Sequence, residues 1–253
     1  MTKKSQISFF IIAGILVFIT FSFLSYLNDL ESEKAKTEPK TMYFGMAPVK
    51  NFVESCLKEK SLEALDFTGS KGGYYNDPDF GADYLYRRVP YYYHMGGNLT
   101  PTIGFVEESV SDYIEDSISL CINDFMAFPG FEISGGEINA DALLSGDKSV
   151  FRLNYPIAVK QGNSTANLED FAVELPVRFI GLYNAGLQIT GLQIEDPNNI
   201  CLSCLTDIAI KNNVSISLEN YNEDTILFKL ALNTTIQDYE AMQLVFANKY
   251  LIK

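Results

Sequence analysis

The chain has 253 residues, of which 47% are hydrophobic, with 15 Tyr and 18 Phe, too apolar and aromatic a composition for an intrinsically disordered protein. Its net charge is −13, and without Lys3 and Lys4 the remainder holds 17 basic against 32 acidic residues. An excess this acidic repels phosphate, and no Lys/Arg stripe offsets it, so nucleic acid is not expected as a partner.

The first element is an apolar helix. From Ser5 to Asn28 no charged residue occurs. About 20 residues at roughly 1.5 Å each span a hydrocarbon core of about 30 Å. Residues 1–4 therefore read as a cytoplasmic start, 5–28 as a transmembrane helix, 29–42 as a stalk and 43–253 as an extracytoplasmic domain. Lys3 and Lys4 precede the helix, and Asp29, Glu31 and Glu33 follow it. The positive-inside rule then sets the N-terminus in the cytoplasm and the domain outside the cell membrane. A cleaved secretory signal fits less well, because no Ala-x-Ala follows the apolar run. The stretch Lys3-Lys4-Ser5-Gln6 resembles archaeal type IV pilin leaders, which are cut just before a Gln. That resemblance implies loss of residues 1–5 with the helix retained.

The stalk ends in Glu38-Pro39-Lys40. Pro48 then opens a helix over 48–66, with Val49, Phe52, Val53, Cys56, Leu57, Leu62 and Leu65 recurring at three and four. Residues 67–101 are broken by Gly69, Gly72, Gly73, Pro78, Gly81, Pro90, Gly96 and Gly97. Between the breaks lies a row of Tyr84, Tyr86, Arg87, Arg88, Tyr91, Tyr92, Tyr93 and His94. The plain reading is a packed loop or short hairpin. The functional reading is a recognition surface, because Tyr and Arg are favoured at interfaces.

A second helix is expected over 102–126, from the spacing of Ile103, Val106, Val110, Tyr113, Ile114, Cys121 and Phe125. Glu107, Glu108, Asp112, Glu115 and Asp116 lie between these positions. They lack calcium-loop spacing and read as a solvated face. Strands are expected at 131–133, 137–143, 149–159 and 171–175, then a helix over 177–195 and a short helix or turn over 200–210. Strands at 214–218, 225–232 and 243–246 close the chain. The fold class is α+β, with antiparallel sheet covered by helices on one side.

Four cysteines in an exported domain permit two disulfides in three pairings. The simplest is Cys56–Cys121 and Cys201–Cys204, the first joining two helices. Cys201-Leu202-Ser203-Cys204 reads first as a local structural disulfide. A redox pair or metal ligation lacks the surrounding βαβ unit or a second close pair. Four Asn-x-Ser/Thr triplets, at Asn98, Asn163, Asn213 and Asn233, are candidate glycosylation sites.

Taken together, these stretches resemble an uncharacterised family of single-pass membrane-anchored proteins from small-genome archaea. The matching residues are the Lys-rich start with Gln6, Phe52-Val53-Glu54-Ser55-Cys56-Leu57, Gly72-Gly73-Tyr74, Cys121 before Phe125, Tyr155-Pro156-Ile157, and the Cys-x-x-Cys-Leu at 201–205. The resemblance implies an anchor and an external domain. It implies no catalytic residue, cofactor or metal.

No Gly-x-Ser-x-Gly, His-Glu-x-x-His or phosphate-binding glycine loop occurs. His94 is the sole histidine, and no motif places Ser109 or Ser119 beside it. The expected role is structural or protein-binding at the cell surface, with other surface proteins or self-assembly as partners. A pilin-like assembly subunit is the first alternative and a cell-envelope hydrolase the second.

Overall fold

The computed structural model describes residues 46–233 and 242–250, and the expected cytoplasmic start, transmembrane helix and stalk lie outside them. Among the described residues, no helix is long and apolar enough to cross a membrane. The domain is α+β. It has four α-helices and ten strands among the described residues: α1 (Met46–Ser70), β1 (Gly81–Tyr84), β2 (Arg87–His94), β3 (Gly97–Asn98), α2 (Ile103–Ile122), β4 (Glu132–Gly135), β5 (Asn139–Ser145), β6 (Lys148–Gln161), β7 (Ser164–Leu175), α3 (Phe179–Glu195), α4 (Leu202–Asn212), β8 (Val214–Asn220), β9 (Thr225–Leu232) and β10 (Gln243–Lys249).

The strands form two sheets rather than one. In the first the order is β1-β2-β10-β9-β8, with β3 adding a short pairing to β2. Its β2–β10 contact is parallel, so this otherwise antiparallel sheet is mixed. The second sheet is antiparallel and centred on β6. β7 pairs with β6 from Ser149 to Gln161, so β4 and β5 share the other edge end to end. The β6–β7 register shifts between Asn154 and Ile157, which spares Pro156 a ladder position requiring an N–H. A Cβ on Gly135 would collide with the Tyr155 phenol, so that ring lies directly over the glycine.

α1 touches both sheets, β6 and β7 in one and β10 in the other, and α3 also reaches both, through β9 and β10 in the first and β5 in the second. Its Val49, Val53, Leu57, Ala64 and Leu65 are fully buried. It runs four residues beyond the expected end, and Gly69 makes that possible. A Cβ there would lie 2.1 Å from the Gln243 carbonyl oxygen. The helix then stops at Gly72 and Gly73, with φ of 60° and 88°. The Tyr92 hydroxyl donates to the Gly72 carbonyl at 3.0 Å.

Cys56 and Cys121 are joined in a disulfide, Cα–Cα 5.6 Å, that fixes α1 to α2. It closes a span of 65 residues. In the chain-entropy picture such a loop restrains the unfolded chain by roughly 4 kcal/mol. Thr102 caps α2, its hydroxyl accepting the Phe105 N–H. The helix ends four residues earlier than expected, because Asn123, Asp124 and Phe125 adopt φ of 44°, 50° and 55°. Phe125 is still buried and stacks on Tyr155.

The acidic face of α2 departs from the sequence reading. Glu107, Ser111 and Glu115 lie on successive turns and accept N–H groups of Leu144, Ala142 and Ala140 at 2.8, 3.0 and 2.6 Å. These are alternate N–H groups on the outer edge of β5. The carboxylates thus close a sheet edge that would otherwise present unpaired donors.

Truncating Glu115 to Ala leaves the Ala140 N–H without its acceptor. We expect a loss of about 1–3 kcal/mol in denaturant unfolding, against less than about 0.5 kcal/mol for Glu108→Ala, which is exposed and serves no edge.

Candidate functional site

The Tyr/Arg row folds into the β1–β2 hairpin, and its residues separate into three environments. Tyr92 and Tyr93 are fully buried and present no ring to the exterior. Tyr92 stacks on Phe246 with centroids 4.2 Å apart. Tyr84, Arg88 and Tyr91 are half-buried, while Tyr86 and Arg87 are exposed.

β1 and β2 pair from Gly81↔Pro90 to Tyr84↔Arg87, leaving a two-residue turn of Leu85 and Tyr86. Their φ values are 45° and 63°. Positive φ at both central positions is the type I′ requirement, which normally selects Asn-Gly or Asp-Gly. Here two bulky side chains occupy it, and both face solvent, Leu85 at 70% and Tyr86 at full exposure.

Beneath the tip the hairpin leans over the first sheet. Ala82 and Val89 pack with Leu227, Val245 and Ala247 in a small apolar cluster distinct from the main core, edged by Tyr84 and Tyr91. The Tyr84 hydroxyl donates to the Glu219 carboxylate on β8 at 2.8 Å. Lys229 on β9 donates to both Tyr84 Oη and Glu219, and its ammonium lies 4.7 Å from the Tyr84 ring centroid. A phenol on β1 therefore reaches β8 across three intervening strands. The hydrogen bond from Lys229, followed by that from Tyr84, holds the Glu219 carboxyl below the usual glutamate range. The same pairing raises the Lys229 ammonium.

A partly open pocket of about 270 Å³ lies between hairpin and sheet, with apolar Leu85, Val89 and Val245 and polar Ser70, Tyr84, Arg87, Lys229 and Gln243 around it. Arg87 has no ion-pair partner among the described residues. The pocket combines three apolar side chains, one unmatched guanidinium and a phenol already engaged. That set suits contact with an apolar side chain and a carbonyl or carboxylate. Among the described residues that border the pocket, none is a carboxylate or a histidine. His94 lies at the other end of β2, between the Phe80 and Tyr91 rings, and its ring makes no hydrogen bond among the described residues.

The other sequence candidates are dispersed. Cys201 and Cys204 form the second disulfide, Cα–Cα 5.2 Å, at the start of α4. Asn98, Asn163, Asn213 and Asn233 are all exposed, and the Asn213 and Asn233 amides bond each other at 3.3 Å. No group of three or more metal-ligating side chains occurs among the described residues. Lys229, Glu219 and Leu85 were missing from the sequence-level site. The available signal was Lys229, a charge within the apolar run Ile226-Leu227-Phe228-Lys229-Leu230. Comparison with family models, curated proteins and solved structures returned no match.

Replacing the turn by Leu85→Asn with Tyr86→Gly supplies residues suited to positive φ. We expect the unfolding free energy to rise by about 1 kcal/mol, read by denaturant titration. A second expectation follows from Glu219. Its folded pKa is depressed, so its contribution is complete above the ordinary carboxylate pKa and is lost as pH falls through the folded value. Amide protection factors across 81–90 should fall on acidification in this range relative to α1, and Glu219→Gln should abolish the step.

Proposed function

We propose that the chain is a single-pass, membrane-anchored cell-surface protein whose exterior domain binds another protein through the tip of the β1–β2 hairpin. The anchor rests on the uncharged stretch from Ser5 to Asn28 and on the charges flanking it. The binding role rests on one observation: Leu85 and Tyr86 are held in left-handed backbone with their side chains in solvent. A turn selected only to reverse the chain would carry Asn-Gly. Two large apolar side chains there cost stability, and such cost is commonly found where a segment contacts a partner. Arg87 beside them supplies a planar, multi-donor group of the kind enriched in binding hot spots. Two disulfides fit a domain held in an oxidising compartment.

A second reading is an assembly subunit of pilin type, favoured by Lys3-Lys4-Ser5-Gln6. The mature mass distinguishes the two. Loss of residues 1–5 supports assembly, and retention of Met1 or Thr2 removes it.

The protein should stay with the membrane pellet through alkaline carbonate. Protease added to intact cells should digest the domain. A photo-crosslinking residue at position 86 should form one discrete adduct on intact cells, lost in the Leu85→Asn/Arg87→Ala background. A protein released by carbonate, or protected from external protease, would contradict the anchoring. A position-86 probe giving no adduct would contradict the binding role.

A further inference from the structure

The two disulfides carry different loads. Cys56–Cys121 ties two helices separated by 65 positions. Cys201–Cys204 spans three positions and lies within one helix start, joining no second element. So short a loop constrains the unfolded chain little. Its accessibility also differs. Cys56 is 2% exposed, whereas Cys201 is exposed and Cys204 half-buried.

The surroundings suit exchange chemistry. Cys201 is the N-cap of α4, and its Sγ lies 3.3 Å from the Cys204 N–H and 3.5 Å from the Ser203 hydroxyl. The first turn of α4 holds no acidic residue. A sulfur in this position, on reduction, has the Cys204 N–H and the positive end of the helix to stabilise thiolate charge. Beside it lies a pocket of about 200 Å³ whose apolar lining includes Leu192, Ile200, Leu205 and Phe228, and whose polar lining includes Glu195 and Asp196. The Asp196 carboxylate is occupied by the Asn198 N–H and the Asn199 amide at 3.1–3.3 Å. An apolar side chain adjacent to an attacking cysteine has somewhere to sit.

The geometry points to an exchangeable disulfide at Cys201–Cys204 that oxidises dithiols in extended peptide segments. A peptide thiolate attacks Cys201 Sγ, forming a mixed disulfide and releasing the Cys204 thiolate. The second peptide thiolate attacks the peptide sulfur of that bond and releases Cys201. The peptide leaves with one disulfide formed. Two electrons and two protons pass to the cysteine pair, one proton to each sulfur. The reaction is stoichiometric, and it stands independently of the hairpin-binding proposal.

The test uses the oxidised full-length chain in detergent micelles and a reduced synthetic peptide bearing two cysteines, each beside a leucine. Acid quenching, alkylation and mass mapping follow each disulfide. Cys201 and Cys204 should become alkylated while Cys56–Cys121 stays closed. The rate should be at least about tenfold above that of an oxidised free peptide of residues 198–207, because helix start and cavity are absent from it. With the oxidised form of the probe peptide, Cys204→Ser should accumulate a mixed disulfide at Cys201, and Cys201→Ser should accumulate less. Reaction no faster than the free peptide, opening of Cys56–Cys121 at the same rate, or equal trapping by the two variants would overturn the assignment. The wild-type rate decides the matter even where a variant fails to fold.

Discussion

The structure depends on one constraint, the seating of α1 between two sheets that do not pair with each other. A helix can serve both sheets only if its apolar surface extends around much of its circumference, and buried Val49, Val53, Cys56, Leu57, Leu62, Ala64 and Leu65 supply that surface. It must also pass close to β10, which Gly69 permits. The Cys56–Cys121 bond then fixes the helix against α2. α2 in turn closes the β5 edge with Glu107, Ser111 and Glu115. Packing, one covalent link and three side-chain acceptors thus form a continuous path from the first sheet to the outer edge of the second.

The hairpin stands outside that path. Its inner wall is a small cluster of five buried side chains, separate from the main core, and its far end is held by the Tyr84–Lys229–Glu219 contact. That contact is largely solvent-exposed, where ion pairs contribute modestly. The hairpin root, by contrast, is buried through Tyr92 and Tyr93. A firm base with a strained, exposed tip is an arrangement that positions side chains for contact with something else. The Cys201–Cys204 disulfide likewise lies at a helix start, with Cys201 exposed.

Much of the helical architecture was legible in the chain. The helices announce themselves because apolar residues recur at the helical period, and β6 alternates with buried Phe151, Leu153, Tyr155, Ile157 and Val159. The cysteine pairing that the structure makes was the simplest of three, since Cys56 and Cys121 both fell on apolar helix faces. The first half of β7 was illegible, because Ser164 to Asp170 is mostly exposed and shows polar residues on both faces. Division into two sheets was likewise hidden, since strand pairing is decided by long-range packing and leaves no local period. Glu107 and Glu115 look like any solvated helix face until β5 arrives beside them. The Tyr row could not be divided from composition alone: β2 is covered on both faces, so adjacent Tyr92 and Tyr93 are both buried, one against Phe246 and the other beside Tyr250. The Tyr84–Lys229–Glu219 contact joins residues more than a hundred positions apart and carries no sequence motif.

The decisive measurement for the central role of α1 is native-state hydrogen exchange of the full-length chain, with and without Cys56→Ala and Cys121→Ala. If α1 links the two sheets, the double variant loses protection in β6 and β7 and in β9 and β10 together, by a common free energy. Loss confined to α2 and β5, with β9 and β10 keeping their protection, would contradict the account.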